Sequence, residues 1–313
     1  MNFQQLRYVR ETVRQGLNLT EAANFLHTSQ PGVSKQIREL EDELGVEIFV
    51  RRGKRLVALT EPGKAVVKAI ERVLHETEKL RAVAGEFRNE DSGTLTVATT
   101  HTQARYSLPR VVTEFKRRYP HVHLHLHQGS PPQVAQMTVE GDADIAIATE
   151  SLDRYPQLLA LPAYTWSHCV VVPRDHPLAK KTSITLDDLV AHPIVTYDPT
   201  FTGRSRIDQA FEAKGLAPEI ALSAIDSDVI KSYVELGLGI GIIASMAFDA
   251  ERDKGLVRIE SGHLFHSNTT RVAIKRGAYL RGFAYQFIEL FSAPLTRSSI
   301  DKALAGEGNQ YEL

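Results

Sequence analysis

Apolar positions in the first 90 residues repeat with helical periods. Val33, Ile37, Leu40 and Leu44 recur at i, i+4, i+7 and i+11, which is one stripe of a helix. Their segment opens Ser29-Gln30-Pro31-Gly32, where Pro31 costs little because a first-turn amide has no intrahelical partner. A shorter helical pattern precedes it, capped by Asn18 or by Thr20, with Glu21 behind either. From Phe49 to Leu59 the pattern changes to two β-prone ends around Arg51-Arg52-Gly53-Lys54-Arg55, predicting a hairpin that turns at Gly53. Thr60-Glu61-Pro62-Gly63 then starts a long helix. Inside it Val66, Ile70, Val73, Thr77, Leu80, Ala84 and Phe87 are spaced alternately by four and three. That a/d seam predicts a dimerising coiled coil; the alternative is one amphipathic helix lying on its own domain.

After a polar hinge at 89–93 the pattern changes again. Strand-like runs at 94–99, 122–127 and 145–148 alternate with helical runs at 111–119 and 133–140. A second set follows, with strands at 169–172, 194–196 and 220–224 and helices at 207–214 and 229–236. Such alternation implies parallel sheets covered by helices.

Length and composition add bounds. At 313 residues the chain has room for two domains, and 42% hydrophobic with 24% charged residues is a globular balance. No apolar run reaches membrane-spanning length and the N-terminus has no signal-peptide core, so a cytoplasmic protein without a membrane partner is expected. Cys169 is the only cysteine, which excludes an intrachain disulfide; its apolar flank predicts a buried, inert thiol. The net charge of −1 conceals an asymmetry: residues 1–88 hold 15 Lys and Arg against 12 Asp and Glu. A mildly basic front and an acidic remainder fit DNA binding confined to the N-terminal end.

The paired helical patterns of residues 18–44 make a helix-turn-helix reader. One face of the second helix packs on the first, and the other enters the major groove. Ser29, Gln30, Pro31, Ser34, Lys35 and Arg38 are the expected DNA-contacting positions. Arg51, Arg52 and Lys54 at the hairpin tip would meet phosphates, which supply affinity and register but no sequence information.

These residues resemble LysR-type transcriptional regulators over nearly the whole chain: TSQPGVSKQIRELEDELG, the basic wing, and the helix started by LTEPG. VATTHTQARYSLP at 97–109, HQGSPPQ at 127–133, VTYDPTFTGRS at 195–205 and DSDVIKSYVELGLGIGIIASMA at 226–247 are similar to the CysB, or cysteine-regulon, subgroup. The resemblance implies an N-terminal winged helix-turn-helix (1–60), a linker helix (61–88) and an α/β bilobal effector domain like that of periplasmic binding proteins (93–292). Subdomain I would hold 93–162 and 268–292, and subdomain II 163–267, with crossovers near 160–165 and 265–271. A tail of 293–313 would follow. The resemblance further implies promoter DNA, RNA polymerase and a second copy of the chain, as dimer or tetramer, for partners. The effector it implies is N-acetylserine or O-acetylserine, with sulfate or thiosulfate as competing anions.

It also places the effector site at Thr100, Thr102, Gln103, Thr149 and Thr202, with Trp166 lining the cavity. The chemistry is reasonable in itself: THTQ and TFTGRS each precede a helix, so hydroxyls and free amides gather at helix N-termini, which bind anions. Arg105 and Arg204 lie nearby, and either could pair with a ligand carboxylate.

Several patterns point elsewhere and are weaker. His121, His123, His125 and His127 would share one strand face, but no Cys or carboxylate beside them completes a metal set. Gly237, Gly239 and Gly241 follow a helix and lead into a strand, the reverse of a dinucleotide fingerprint, so a helix stop is the better account. No cofactor is expected and no catalytic constellation is present, so an enzyme or a solute-binding protein on the same bilobal fold is the lesser reading. Closer is a paralogous regulator that answers a sulfonate- or sulfate-starvation signal.

Overall fold

The computed structural model describes residues 1–53, 55–86, 92–181, 183–201 and 203–306. Two compact units divide at Arg88 and Asn89. In the first, α1 (Phe3–Arg14), α2 (Leu19–Phe25) and α3 (Gln30–Leu44) precede a hairpin of β1 (Phe49–Arg52) and β2 (Arg55–Leu59), and α4 (Glu61–Glu86) follows. Asn18 is the cap of α2, its side chain accepting from the amides of Thr20 and Glu21. Ser29 caps α3, and Gly45 ends that helix in left-handed backbone.

Val9, Val33, Ile37, Leu40, Ile48 and Phe49 are fully buried together. Leu44 departs from the expected stripe: at the last turn it is 39% exposed. The expected seam of α4 is divided between two surroundings. Val67, Ile70 and Leu74 turn into this domain's own core, while Val73 is 44% and Leu80 75% exposed. The front of α4 packs at home, and Val73 and Leu80 lie outside that core. Phe87 lies outside the described residues, and so does the side chain of Ala84.

The second unit contains two five-stranded sheets. In chain order its elements are β3 (Gly93–Thr99), α5 (Leu108–Arg118), β4 (Val122–Gln128), α6 (Pro131–Glu140), β5 (Ile145–Ala148), β6 (Leu158–Trp166), β7 (His168–Pro173), α7 (Leu186–Val190), β8 (Ile194–Tyr197), α8 (Arg204–Glu212), β9 (Ile220–Ala224), α9 (Ser227–Glu235), β10 (Ile240–Ala244), β11 (Leu256–Glu260), β12 (Asn268–Lys275), α10 (Gly282–Phe291) and α11 (Arg297–Leu304). One sheet runs β4-β3-β5-β12-β6 and the other β11-β7-β10-β8-β9. In each, three parallel strands are extended by one antiparallel to them and then by a fifth antiparallel to that one. These are the two α/β subdomains. β6 leads from the first sheet into β7 of the second, and β12 returns.

The crossing strands β6 and β12 cover the neighbourhood of the expected 160–165 and 265–271, and Tyr164, Thr165 and Trp166 pair with Thr270, Thr269 and Asn268 before the chain passes through Ser167 into β7. The expected tail is cut short: α11 follows residue 292, and its Ile300 is fully buried in the core that Phe115, Phe287 and Leu295 share. Cys169 is buried on β7 beside Val171 and Tyr197, and burial pushes its thiol up to about 12. His123, His125 and His127 are exposed on edge strand β4, and among the described residues no three His, Cys, Asp or Glu side chains cluster to hold a metal. Gly237 ends α9 at a φ of 80° that disfavours a side chain, and its amide donates to Val234 O.

Candidate nucleic-acid interface and effector cleft

On α3 the buried stripe fixes what the other face can present. With Val33, Ile37 and Leu40 turned inward, Ser29, Pro31, Lys35 and Arg38 are exposed and Gln30 and Ser34 half-buried. Lys35 is within 3.7 Å of Glu39, a solvent-exposed pair that holds it weakly. At the hairpin Arg52 is exposed beside Gly53, and Lys54 lies outside the described residues. Arg51 has a different job from the one its neighbours share. Its Nη2 is 2.6 Å from Glu41 Oε2, while Glu41 Oε1 accepts the amides of Ile48 and Phe49 at 2.9 and 3.1 Å. Buried Glu41 thus ties α3 to the base of the hairpin, and Arg51 is its counter-ion.

In the second unit the crossing strands form the floor on which the expected effector residues meet. Thr270 on β12 is the hub: its Oγ1 accepts from Gln103 Nε2 and Trp166 Nε1, each at 3.1 Å, and is 3.4 Å from Thr149 Oγ1. Tyr164, cross-strand from Thr270, donates to Gln103 Oε1 and is 2.7 Å from Ser107 Oγ. Thr100, Thr102, Gln103 and Trp166 are all buried. Gln103, Thr149 and Trp166 are therefore brought together around a residue the sequence did not single out. Thr202 lies outside the described residues.

Glu150 was missed as well. It follows Thr149 at the carboxyl end of β5, the end at which open parallel sheets place ligands. Its Oε1 accepts the amide of Gly203 from the other subdomain, and its Oε2 is buried without a hydrogen-bond partner. Burial pushes this carboxyl up to about 7, against the pull of the Gly203 amide. Gly203 caps α8 at a φ of 69°, where a Cβ would lie 2.3 Å from Asn268 Oδ1; only glycine brings the helix this close. A polar cavity of about 310 Å3 adjoins, lined in part by Thr149, Glu150, Asp153, Arg154, Arg206 and Arg271. Thr100, Thr102, Gln103 and Trp166 do not line it.

Neither arginine near the threonine loops waits for a ligand. Arg204 is 9% exposed, with Nε 2.7 Å from Asp208 and Nη1 donating to Tyr197 O. Arg105 Nε is 3.3 Å from Asp228, which also accepts from the Tyr106 hydroxyl at 2.8 Å and lies 3.2 Å from Lys231. Asp228 opens α9 in subdomain II, so this group latches the π-turn at Gln103–Ser107 to the opposite subdomain. Burial alone would raise the Asp228 carboxyl; the bonds from Tyr106 and Lys231 outweigh it and leave it low.

The comparisons with known proteins agree with this architecture. Residues 3–64 match the family model for bacterial regulatory helix-turn-helix proteins of the lysR family, and residues 88–294 match the LysR substrate binding domain. The chain is 59% identical to the HTH-type transcriptional regulator SsuR of Burkholderia cenocepacia, covering 96% of this chain and 97% of that one. It is 57% identical to CysB of the same organism over the full length of both chains. The solved cofactor-binding domain of the Cbl transcriptional regulator superposes with a TM-score of 0.67 at 47% identity, covering 69% of this chain and 95% of that one. No described helix is long and apolar enough to cross a membrane. A reader helix, a wing and two crossing α/β subdomains, with relatives this similar over the whole length, make this chain a member of the LysR family of helix-turn-helix transcriptional regulators.

Proposed function

We propose that this protein regulates genes of sulfur assimilation and cysteine synthesis, binding promoter DNA as a homodimer or homotetramer and answering a small sulfur-related effector. The observation that carries the reading is the Thr270-centred cluster of Gln103, Thr149 and Trp166 on the crossing strands, in a chain 57% identical to CysB. Hydroxyls and amides without an obligatory cation suit N-acetylserine, O-acetylserine, sulfate or thiosulfate. Thr100, Thr102 and Thr202 complete the proposed effector set.

Ser29, Gln30, Pro31, Ser34, Lys35 and Arg38 contact the major groove, with Arg52 and Lys54 on phosphates and Arg51 acting chiefly through Glu41. Effector binding favours one arrangement of the subdomains over another, and the change alters half-site occupancy and the encounter with RNA polymerase. The protein works in the cytoplasm and catalyses no reaction. A second reading, a paralogue answering a sulfate-starvation signal such as adenosine phosphosulfate, draws on the nearly equal identity to SsuR and CysB.

The test is a titration of the full-length protein onto a cysteine-operon promoter fragment at fixed salt, with and without N-acetylserine. Specific binding that N-acetylserine alters is the expected result; specific binding indifferent to it favours the second reading. Arg38→Ala is expected to weaken specific binding at least ten-fold and relax sequence preference, in line with about 1–3 kcal/mol for a base contact. Unchanged preference would remove Arg38 from the groove.

A further inference from the structure

His121, His123, His125 and His127 belong neither to the DNA reader nor to the effector cluster. β4 pairs with β3 in parallel, from Gly93 with Val122 to Thr99 with Gln128, without a register shift. The pleat is therefore regular, and His123, His125 and His127 project from one face. α6 covers that face farther into the sheet, over Ala98, Ala146 and Ala273. It leaves β4 open at the sheet edge, where all four histidines are exposed. Their neighbours across on β3 are Thr94, Thr96 and Ala98, small and uncharged, so nothing on that strand repels a cation. At the near end Lys116 Nζ lies 2.7 Å from Val122 O, a positive charge that favours the histidines farther along.

We propose that β4 is a chelating strip for a divalent transition-metal ion that prefers imidazole: zinc, nickel or copper. His125 is the shared ligand, paired with His123 or with His127, and water fills the remaining positions. Alternate residues of a strand stand about 6.6 Å apart. Two imidazole nitrogens, each about 2.0–2.1 Å from one metal, must close to roughly 3 Å, which exposed side chains reach by leaning together. A closed structural site needs more ligands, and among the described residues no group of three His, Cys, Asp or Glu supplies them. The strip is thus an open, two-imidazole site whose metal exchanges with solvent. Magnesium and calcium, which prefer oxygen ligands, have no such partner there.

The test is calorimetric titration of the full-length protein with zinc chloride, nickel chloride and magnesium chloride, each alone at pH 7.5 in a buffer that does not bind metal. The wild type is expected to bind zinc and nickel and to ignore magnesium. His125→Ala breaks both inner pairs at an exposed position and is expected to weaken zinc and nickel at least ten-fold. A double variant, His123→Gln with His127→Gln, leaves His125 alone and is expected to lose as much. The half-buried pair His176 and His192, with ring centroids 4.7 Å apart, is the competing site, so His192→Ala serves as the control and should change nothing. No zinc or nickel binding by the wild type overturns the proposal, as does equal binding of magnesium. Full affinity in His125→Ala or in the double variant overturns it too, and a loss confined to His192→Ala moves the metal to the other pair.

Discussion

Glu150 shows how one side chain can make stability depend on pH. Its folded value of about 7 stands above the usual 4.5, so between these values the folded state holds the proton more tightly than the unfolded chain. Stability is then fully present below pH 4.5 and is lost as pH rises through 7, by up to about 3 kcal/mol. Denaturant unfolding at pH 5, 6, 7 and 8 should show this decline in the wild type and a flatter profile in Glu150→Gln; parallel profiles would assign the slope to other groups. Sequence made only part of this site legible. Gln103, Thr149 and Trp166 could be named because family motifs mark them. Thr270, 167 residues from Gln103, becomes a hub only once two strands cross. Glu150 carries a weak local signal, an acid just past the fully buried Ile145–Ala148 run.

Whole elements were legible in proportion to their periodicity. The parallel strands and the helices between them fall within a few residues of their predicted bounds, because buried strands and amphipathic helices have distinct repeats. β6 carries Pro162 and α10 reads GFAYQFIELF, apolar almost throughout, so neither offers a clean period. α4 carries apolar positions on two faces: Ile70 serves its own domain's core, while Val73 and Leu80 lie outside it. The wing teaches that a basic cluster need not be uniform: of its cations, Arg51 belongs to the fold. Glu41→Ala would leave the buried Ile48 and Phe49 amides without their acceptor. A loss of about 3 kcal/mol in the first unit is expected, with weaker binding to specific and random DNA alike. A drop confined to specific DNA would instead place Glu41 in base recognition.

At the scale of the molecule, the helix-turn-helix and the LysR substrate binding domain belong to separate compact units, and within the second unit two subdomains are tied to one another. Tyr106 and Arg105 of one, within the Gln103–Ser107 turn, meet Asp228 of the other. The Arg105 pair is about half exposed and contributes little, so Tyr106 is the stronger tie. A double-mutant cycle of Tyr106→Phe with Asp228→Asn should return a coupling of about 1 kcal/mol in unfolding free energy, and additive losses would show that the contact carries none. The single thiol has a wider consequence. Held on β7 with no exposure and a value near 12, Cys169 is almost entirely uncharged at neutral pH and beyond the reach of electrophiles. A regulator of sulfur supply thus keeps its one thiol out of sulfur exchange, and a disulfide in the medium would find no partner in it.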